Sequence, residues 1–212
     1  MKSLFSLLIL VLVSFNLNAQ ITDIEFNKLK IPVIDAVITY TAIDTIPNYT
    51  KEQLQSGLRE WIAKNFVSAN NVIQMDDKEA GKIIVKGKNK EFYNFNHLGK
   101  IVPINYYQSF IIDMTVKESR YRVKIYGFQL ESAFNRAQLY TTLPVLQPEL
   151  EKIYWNIPST YDFTKLNRRE KQDLVIKRQV LKTVDDFALN MILSVKNFMR
   201  NNLSNTKKED DF

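Results

Sequence analysis

Cysteine is absent from this 212-residue sequence, and histidine and glycine are scarce, at one His and 5 Gly. Without cysteine the chain has no disulfide, no thiolate nucleophile and no cysteine metal site, so packing alone must stabilise the fold. The single histidine, His97, has no neighbours at a metal-ligand spacing, which favours a structural or solvated role. Scarce glycine, and the absence of any repeat with a period of about 20–50 residues, disfavour a repeat architecture.

Signatures of common enzyme classes are also missing: G-x-S-x-G, a P-loop, H-E-x-x-H, and G-x-G-x-x-G after a strand. Two carboxylate pairs, Asp76–Asp77 and Asp185–Asp186, fall in a turn and on the polar side of a helix. Neither has the apolar surroundings that raise a carboxyl pKa. We therefore predict no catalytic residue, no metal ligand and no cofactor, and a protein that is not an enzyme. A hydrolase with a polar pocket in the 129–168 connection is the enzymatic alternative.

The N-terminus has the pattern of a secretory signal peptide. Lys2 supplies the positive charge, Leu4 to Val13 form the apolar run, and Ala19 precedes the expected cleavage site before Gln20. The apolar run is shorter than the about 20 residues that a membrane-spanning helix needs. We expect residues 1–19 to be removed, which leaves an exported protein, periplasmic or secreted, with no transmembrane segment.

Residues 20–212 have the size and composition of a single folded domain, since 45% of the chain is apolar and 12% is aromatic. Loss of Lys2 reduces the basic residues from 29 to 28, against 23 acidic residues, for a formal charge of +5. This excess is too small to indicate nucleic-acid binding, and no nucleic-acid partner is expected.

The first half of the chain predicts a strand, a helix and a hairpin. Ile31 to Thr41 is rich in β-branched residues, and Thr50 begins a helix with a capping box to Gln53. An apolar stripe follows at helical spacing: Leu54, Leu58, Trp61, Ile62 and Phe66. Val72–Asp76 and Gly81–Lys88 form the next two strands, with Ile83 and Val85 on one face.

The stretch from Tyr106 to Phe128 predicts a second hairpin, with a polar turn at Glu118–Ser119. One face of its two strands is apolar: Phe110, Ile112, Met114, Val116, Tyr121, Val123 and Ile125. This hairpin should form the centre of the sheet. Residues 89–105 either prolong the preceding hairpin or form a loop around Pro103.

A long amphipathic helix is predicted from about Asn167 to Asn202, followed by a polar tail at 203–212. Its stripe contains Leu181, Val184, Ala188, Met191, Val195 and Phe198, widened by Val180, Phe187, Ile192 and Met199. The 129–168 connection contains many apolar residues and three prolines, which predicts ordered but irregular structure.

The resulting fold class is α+β, with two layers and the order β-α-β-β-β-β-α. Successive hairpins predict an antiparallel sheet of about five strands, and both main helices need its apolar face.

The opposite face of the sheet is the candidate ligand-binding surface. Its predicted site residues are basic: Lys82, Lys86, Arg120, Arg122 and Lys124. Lys88 and Lys117 are predicted on the same face, and Tyr126 and Phe128 continue the last row. Basic residues interleaved with aromatic ones suit polyanions or sugars. The alternative is a solvated face whose charges discourage aggregation.

Four segments carry a family resemblance: Trp61–Phe66, Ser68–Gln74, Asp76–Gly87 and Tyr121–Ile125. They resemble a family of exported bacterial proteins described as a domain of unknown function with a TATA-binding-protein-like (TBP-like) fold, and the resemblance covers residues 31–128. It implies a curved antiparallel sheet with two helices on its convex face. It brings no catalytic residue, and a fold shared with a DNA-binding protein does not transfer that function.

Two functional hypotheses follow. The first is an exported, non-enzymatic binding module. It would use the sheet face opposite the helices to bind an envelope protein or an anionic envelope polymer. The alternative is a structural or assembly protein of the envelope that acts through the C-terminal helix or an edge strand.

Overall fold

The computed structural model describes residues 30–97, 100–132 and 165–209. The predicted signal peptide and the larger part of the 129–168 connection lie outside the described residues. The elements in chain order are β1 Val33–Ile34, β2 Val37–Ile38, β3 Tyr40–Thr45, α1 Lys51–Asn65, α2 Ala69–Val72, β4 Ile73–Asp77, β5 Lys82–His97, β6 Lys100–Lys117, β7 Arg120–Ser132 and α3 Arg168–Glu209.

Strands β3 to β7 form a five-stranded sheet in the order β3-β7-β6-β5-β4, and every neighbouring pair is antiparallel. From β3 onward the main elements follow the predicted order β-α-β-β-β-β-α, with a one-turn helix, α2, before β4. The α+β class and the five-stranded antiparallel sheet are therefore confirmed.

The predicted first strand, Ile31 to Thr41, is wrong in its bounds. The chain instead forms a small β1–β2 hairpin and then β3, which continues to Thr45. The break lies at Asp35 and Ala36, whose φ angles are 51° and 62°. Two consecutive positive φ values form the tight turn that joins two short strands. Asp35 is a residue type that tolerates this conformation, but Ala36 stands where such a turn usually has glycine.

Helix α1 begins as predicted. The Thr50 side chain accepts a hydrogen bond from the Gln53 backbone, and the Gln53 side chain accepts one from the Thr50 backbone, which completes the capping box. The predicted stripe faces the sheet, and Trp61 is fully buried. The helix ends at Asn65, and Asn70 and Asn71 lie within α2.

The core lies between one face of the sheet and helices α1 and α3. The central hairpin formed by β6 and β7 has the predicted turn at Glu118–Ser119, and its predicted apolar face is buried. Burial of this continuous apolar surface is the main favourable contribution to folding. We call this side the helix-covered face, and we call the opposite side, which carries Lys86 and Arg122, the basic face.

Phe128 lies on the helix-covered face and is 1% exposed, so its predicted place in the basic row is wrong. The register of β6 and β7 shifts between Ser109 and Ile111, opposite Gly127, whose φ is +66°. An extra residue in one strand reverses the faces of the residues that follow. Tyr126 precedes this bulge and stays on the basic face.

Residues 89–105 prolong the preceding hairpin and do not form a loop around Pro103. Strands β5 and β6 pair without interruption up to His97 and Lys100. Pro103 pairs with Asn94 inside β6 and does not interrupt the strand. The pairs described between β6 and β7 begin at Tyr106, so Pro103 lies where β6 has no described second neighbour and a missing N–H is tolerated.

Helix α3 begins at Arg168, after an Asn167 side chain that accepts hydrogen bonds from the backbone of Arg169 and Glu170. It ends at Glu209 and so includes most of the predicted polar tail, which contains no proline or glycine before that point. Its buried stripe agrees with the prediction: Val180, Leu181, Val184, Ala188, Val195 and Met199. Within the described part of the chain, no helix has the length and apolar character needed to cross a membrane.

Candidate functional site

The basic face is built by alternation along three neighbouring strands, since side chains two apart on a strand point the same way. The strand register places Lys82, Thr115 and Arg122 in one row across β5, β6 and β7. The next row contains Ile84, Asp113 and Lys124. All five predicted site residues, Lys82, Lys86, Arg120, Arg122 and Lys124, therefore lie on this face.

Three of the five have partners on the face itself. Lys82 Nζ lies 3.3 Å from the Asp113 carboxylate, which is 8% exposed. Arg122 Nη2 donates a hydrogen bond of 3.1 Å to Thr115 Oγ1. Lys124 Nζ lies 4.9 Å from the centre of the Tyr126 ring, a cation–π distance. These contacts orient the side chains and partly satisfy their charge.

Lys86 and Arg120 differ from these three. Both side chains are exposed, and neither forms an ion pair within the described residues. Lys86 is opposite Ile111, which has Tyr126 as its other neighbour in the row. Their charges are consequently available to a ligand without the loss of an existing ion pair.

Sequence reasoning left further cations out of the site. Lys88, Lys90 and Lys117 share the basic face by register. Lys88 Nζ lies 2.6 Å from the Glu131 carboxylate and 4.9 Å from the centre of the Tyr107 ring. The sequence could have indicated Lys90, because it continues the series of even-numbered lysines along β5.

The arrangement suits electrostatic binding. Among the described residues of the face, the acids are Asp77, Asp113 and Glu131, which are fewer than the cations. Lys and Arg side chains spread over a sheet can each neutralise one charge of a polyanion. Exposed tyrosine rings beside them add a surface on which a sugar or another ring can stack.

The carboxylate pairs singled out in the sequence are occupied by local partners. Asp76 accepts bonds of 2.6 and 2.7 Å from the Arg59 guanidinium, which holds the pKa of Asp76 below its usual range despite partial burial. Asp185 accepts a bond of 2.9 Å from the Tyr40 hydroxyl. In the described regions, no group of three or more His, Cys, Asp or Glu side chains could hold a metal ion.

Comparison with known proteins finds a family model that matches the sheet region. Residues 40–131 match the family described as a domain of unknown function (DUF4468) with a TBP-like fold. The resemblance to a domain of unknown function with a TBP-like fold is therefore confirmed for this region, which spans β3 to Glu131 of β7. No curated protein matches the chain.

Two solved structures are similar to this chain. A DUF4468 family protein from Bacteroides ovatus ATCC 8483 has 15% identity and a TM-score of 0.59, over 84% of this chain and 95% of that one. A TBP-like protein from Parabacteroides distasonis ATCC 8503 has 14% identity and a TM-score of 0.49, over 79% and 97%. At this identity the first similarity supports the fold alone.

Proposed function

We propose that this protein, which carries a DUF4468 domain at residues 40–131, is an exported, non-enzymatic binding module whose basic face holds an anionic component of the cell envelope. The observation that carries the proposal is the pair of exposed cations without an ion pair in the described regions, Lys86 and Arg120, among further basic side chains on one sheet face. Export is proposed from the signal-peptide pattern of residues 1–19.

The spacing of the charges favours an extended ligand over a small one. Neighbouring strands are about 4.8 Å apart, and positions two apart on a strand are about 6.6–6.8 Å apart. Cations on such a grid meet the repeated phosphates or carboxylates of a polymer better than a single anion. Each contact is exposed and therefore weak alone, so affinity arises from many contacts together.

The test uses a triple charge reversal, Lys86→Glu with Arg122→Glu and Lys124→Glu. Binding of the purified protein to lipopolysaccharide and to inorganic polyphosphate is measured at low salt. We expect the triple variant to lose binding while its thermal unfolding midpoint stays within a few degrees of the wild type, because the exposed contacts it removes contribute about 0–1 kcal/mol each.

The matched control reverses three exposed cations on α3, Arg168, Arg169 and Lys171, which changes the net charge by the same amount. This control should stay folded, because acidic residues are tolerated at a helix N-terminus. It should also retain binding, because the three substituted residues lie outside the basic face. Equal loss of binding in both triple variants would show that net charge alone attracts the polymer. Unchanged binding in the first would remove the basic face as the site.

A second function, assembly with another protein chain, is favoured by exposed apolar residues on α3 and on the edge strand β3. Leu189 and Leu193 lie one turn apart on α3 and are 52% and 53% exposed, and Ile43 on edge strand β3 is 63% exposed. Light scattering distinguishes the two functions. A stable oligomer that the Leu189→Lys and Leu193→Lys double variant converts to a monomer, together with no polyanion binding, would favour assembly.

A further inference from the structure

A groove of about 430 Å³ lies on the helix-covered side of the molecule, and the sheet separates it from the basic face. Glu91 of β5 and Asn65 at the end of α1 form part of its lining, and the remainder comes from α3 between Thr183 and Ser194. Its volume falls within the range of small-molecule sites, about 300–1,000 Å³. The proposed function makes no use of this groove.

Three polar side chains around the groove already form hydrogen bonds within the protein. The Thr183 hydroxyl donates to the Gln179 carbonyl at 2.9 Å, and the Asn65 amide donates to the Trp61 carbonyl at 2.9 Å. The Ser194 hydroxyl oxygen accepts a bond of 3.0 Å from the Trp61 indole N–H. The Asn65 amide oxygen and a second lone pair of the Ser194 hydroxyl oxygen remain as acceptors, so the groove can take protons from a ligand that brings its own donors.

Glu91 gives the groove an uncompensated negative charge. Its carboxylate is half-buried and accepts a 2.6 Å bond from the Asn89 amide, and no described cation pairs with it. Burial raises the pKa of Glu91, an effect that the Asn89 bond only partly offsets. The other carboxylate in the lining, Asp186, already pairs with Lys182 at 2.6 Å. A cation beside Glu91 would restore the balance.

Phe187 and Met191 supply the apolar part of the lining. Both are half-buried, and the Phe187 ring packs against Phe110 at 4.7 Å between centroids, which fixes its position. Such a surface contributes nothing to binding a bare metal ion. It does contribute to binding the methylene groups of an organic cation, at about 0.8 kcal/mol for each one buried.

We propose that this groove binds a primary ammonium group carried on an alkyl chain. The Glu91 carboxylate provides the opposite charge, Asn65 and Ser194 oxygens accept from the remaining ammonium protons, and Phe187 and Met191 pack against the methylenes. A free diamine and a lysine side chain of another polypeptide share this chemistry. The site is independent of the basic face, which has the opposite charge and lies on the other side of the sheet.

The test is an NMR titration of the purified chain that follows the side-chain amide signals of Asn65 and Asn190, both in the lining. The probes are 1,5-diaminopentane, a peptide with a single lysine between glycines, and 1-pentanol as the neutral analogue. We expect saturable shifts with the first two probes and none with 1-pentanol. Saturation by the peptide alone assigns the ammonium group to a partner polypeptide, and saturation by the diamine alone assigns it to a free amine.

Glu91→Gln should weaken amine binding at least about tenfold, since a hydrogen bond to a charged group contributes about 1.5–3 kcal/mol. Glu131→Gln, the same substitution on the basic face, should leave it unchanged. Asn190→Asp, at an exposed position of the lining, should tighten binding several-fold, and it carries the test if Glu91→Gln does not fold. Equal affinity in Glu91→Gln, equal binding of 1-pentanol, or no saturation by either amine would overturn the proposal.

Discussion

Arg200, near the C-terminal end of α3, forms a two-bond pair with Asp44 on edge strand β3, from Nε to Oδ2 at 3.0 Å and from Nη2 to Oδ1 at 2.8 Å. The Tyr121 hydroxyl donates to the same carboxylate at 3.3 Å. Burial alone would raise the pKa of Asp44, but the Arg200 guanidinium and the Thr45 backbone N–H hold it below its usual range. The pair connects the long helix to edge strand β3 of the sheet.

The Asp44–Arg200 pair predicts a loss of stability in acid. A lowered folded-state pKa means that the stabilisation is complete above the ordinary aspartate pKa, about 3.9, and is lost as the pH falls through the lower folded value. Thermal unfolding of the wild type should therefore show a midpoint that falls below about pH 4. The fall should be smaller in Asp44→Asn, and parallel curves for the two proteins would exclude Asp44 as the linked group.

Gln108 predicts a stabilising substitution in the core. Its side chain is fully buried on the helix-covered face, and neither Nε2 nor Oε1 has a hydrogen-bond partner within the described residues. Gln108→Met keeps the approximate volume and removes the unpaired amide, so the free energy of unfolding should rise by about 1–3 kcal/mol. Gln129→Met, at an exposed position of β7, should change it little. A lower stability for Gln108→Met would indicate that the amide has a bound-water partner.

A side chain at position 87 of β5 should collide with Phe110 on the neighbouring strand β6. A Cβ atom at this position would collide with the ring of Phe110, which packs on Phe187. Gly87→Ala should therefore lower the free energy of unfolding by about 1–3 kcal/mol. In a Phe110→Leu background the same change should cost clearly less, which denaturant unfolding of all four proteins would measure. Equal costs in both backgrounds would contradict the predicted contact.

Export predicts a defined N-terminus. Intact-mass measurement of the protein isolated from the envelope or medium of an expressing bacterium should show a chain that begins at Gln20. An uncleaved Met1 in membrane-bound material would instead identify residues 1–19 as an anchor. This outcome would contradict the proposed release of the protein, whatever the role of its basic face.

The central hairpin was predictable because alternation records the two faces of a strand directly. Val123 and Ile125 alternate with Arg122 and Lys124, and the structure places the two pairs on opposite faces as expected. The reversal at Phe128 was not predictable from alternation, because it depends on the extra residue at Gly127. Only the pairing with β6 shows that bulge.

The two candidate sites also differ in how far the sequence could predict them. Lys82 and Lys86 were predictable because even-numbered residues of the same strand point to one face. The same rule applied further along the strand would have predicted Lys90. The partner of Lys82, Asp113, depends on the strand register and was not predicted. The ammonium groove was beyond sequence reasoning, because Glu91 and Ser194 are far apart in the chain and only tertiary packing places them in one lining.

Site-specific photo-crosslinking in intact cells tests the central claim, that the basic face contacts the partner, most directly. A photoreactive residue replaces Lys86 or Arg120 on the basic face, Leu189 on α3 for the assembly alternative, or Lys171 as an exposed control. If the basic face contacts the partner, crosslinked products form from positions 86 and 120 and none form from position 171. Products from position 189 without any from positions 86 and 120 would contradict this claim.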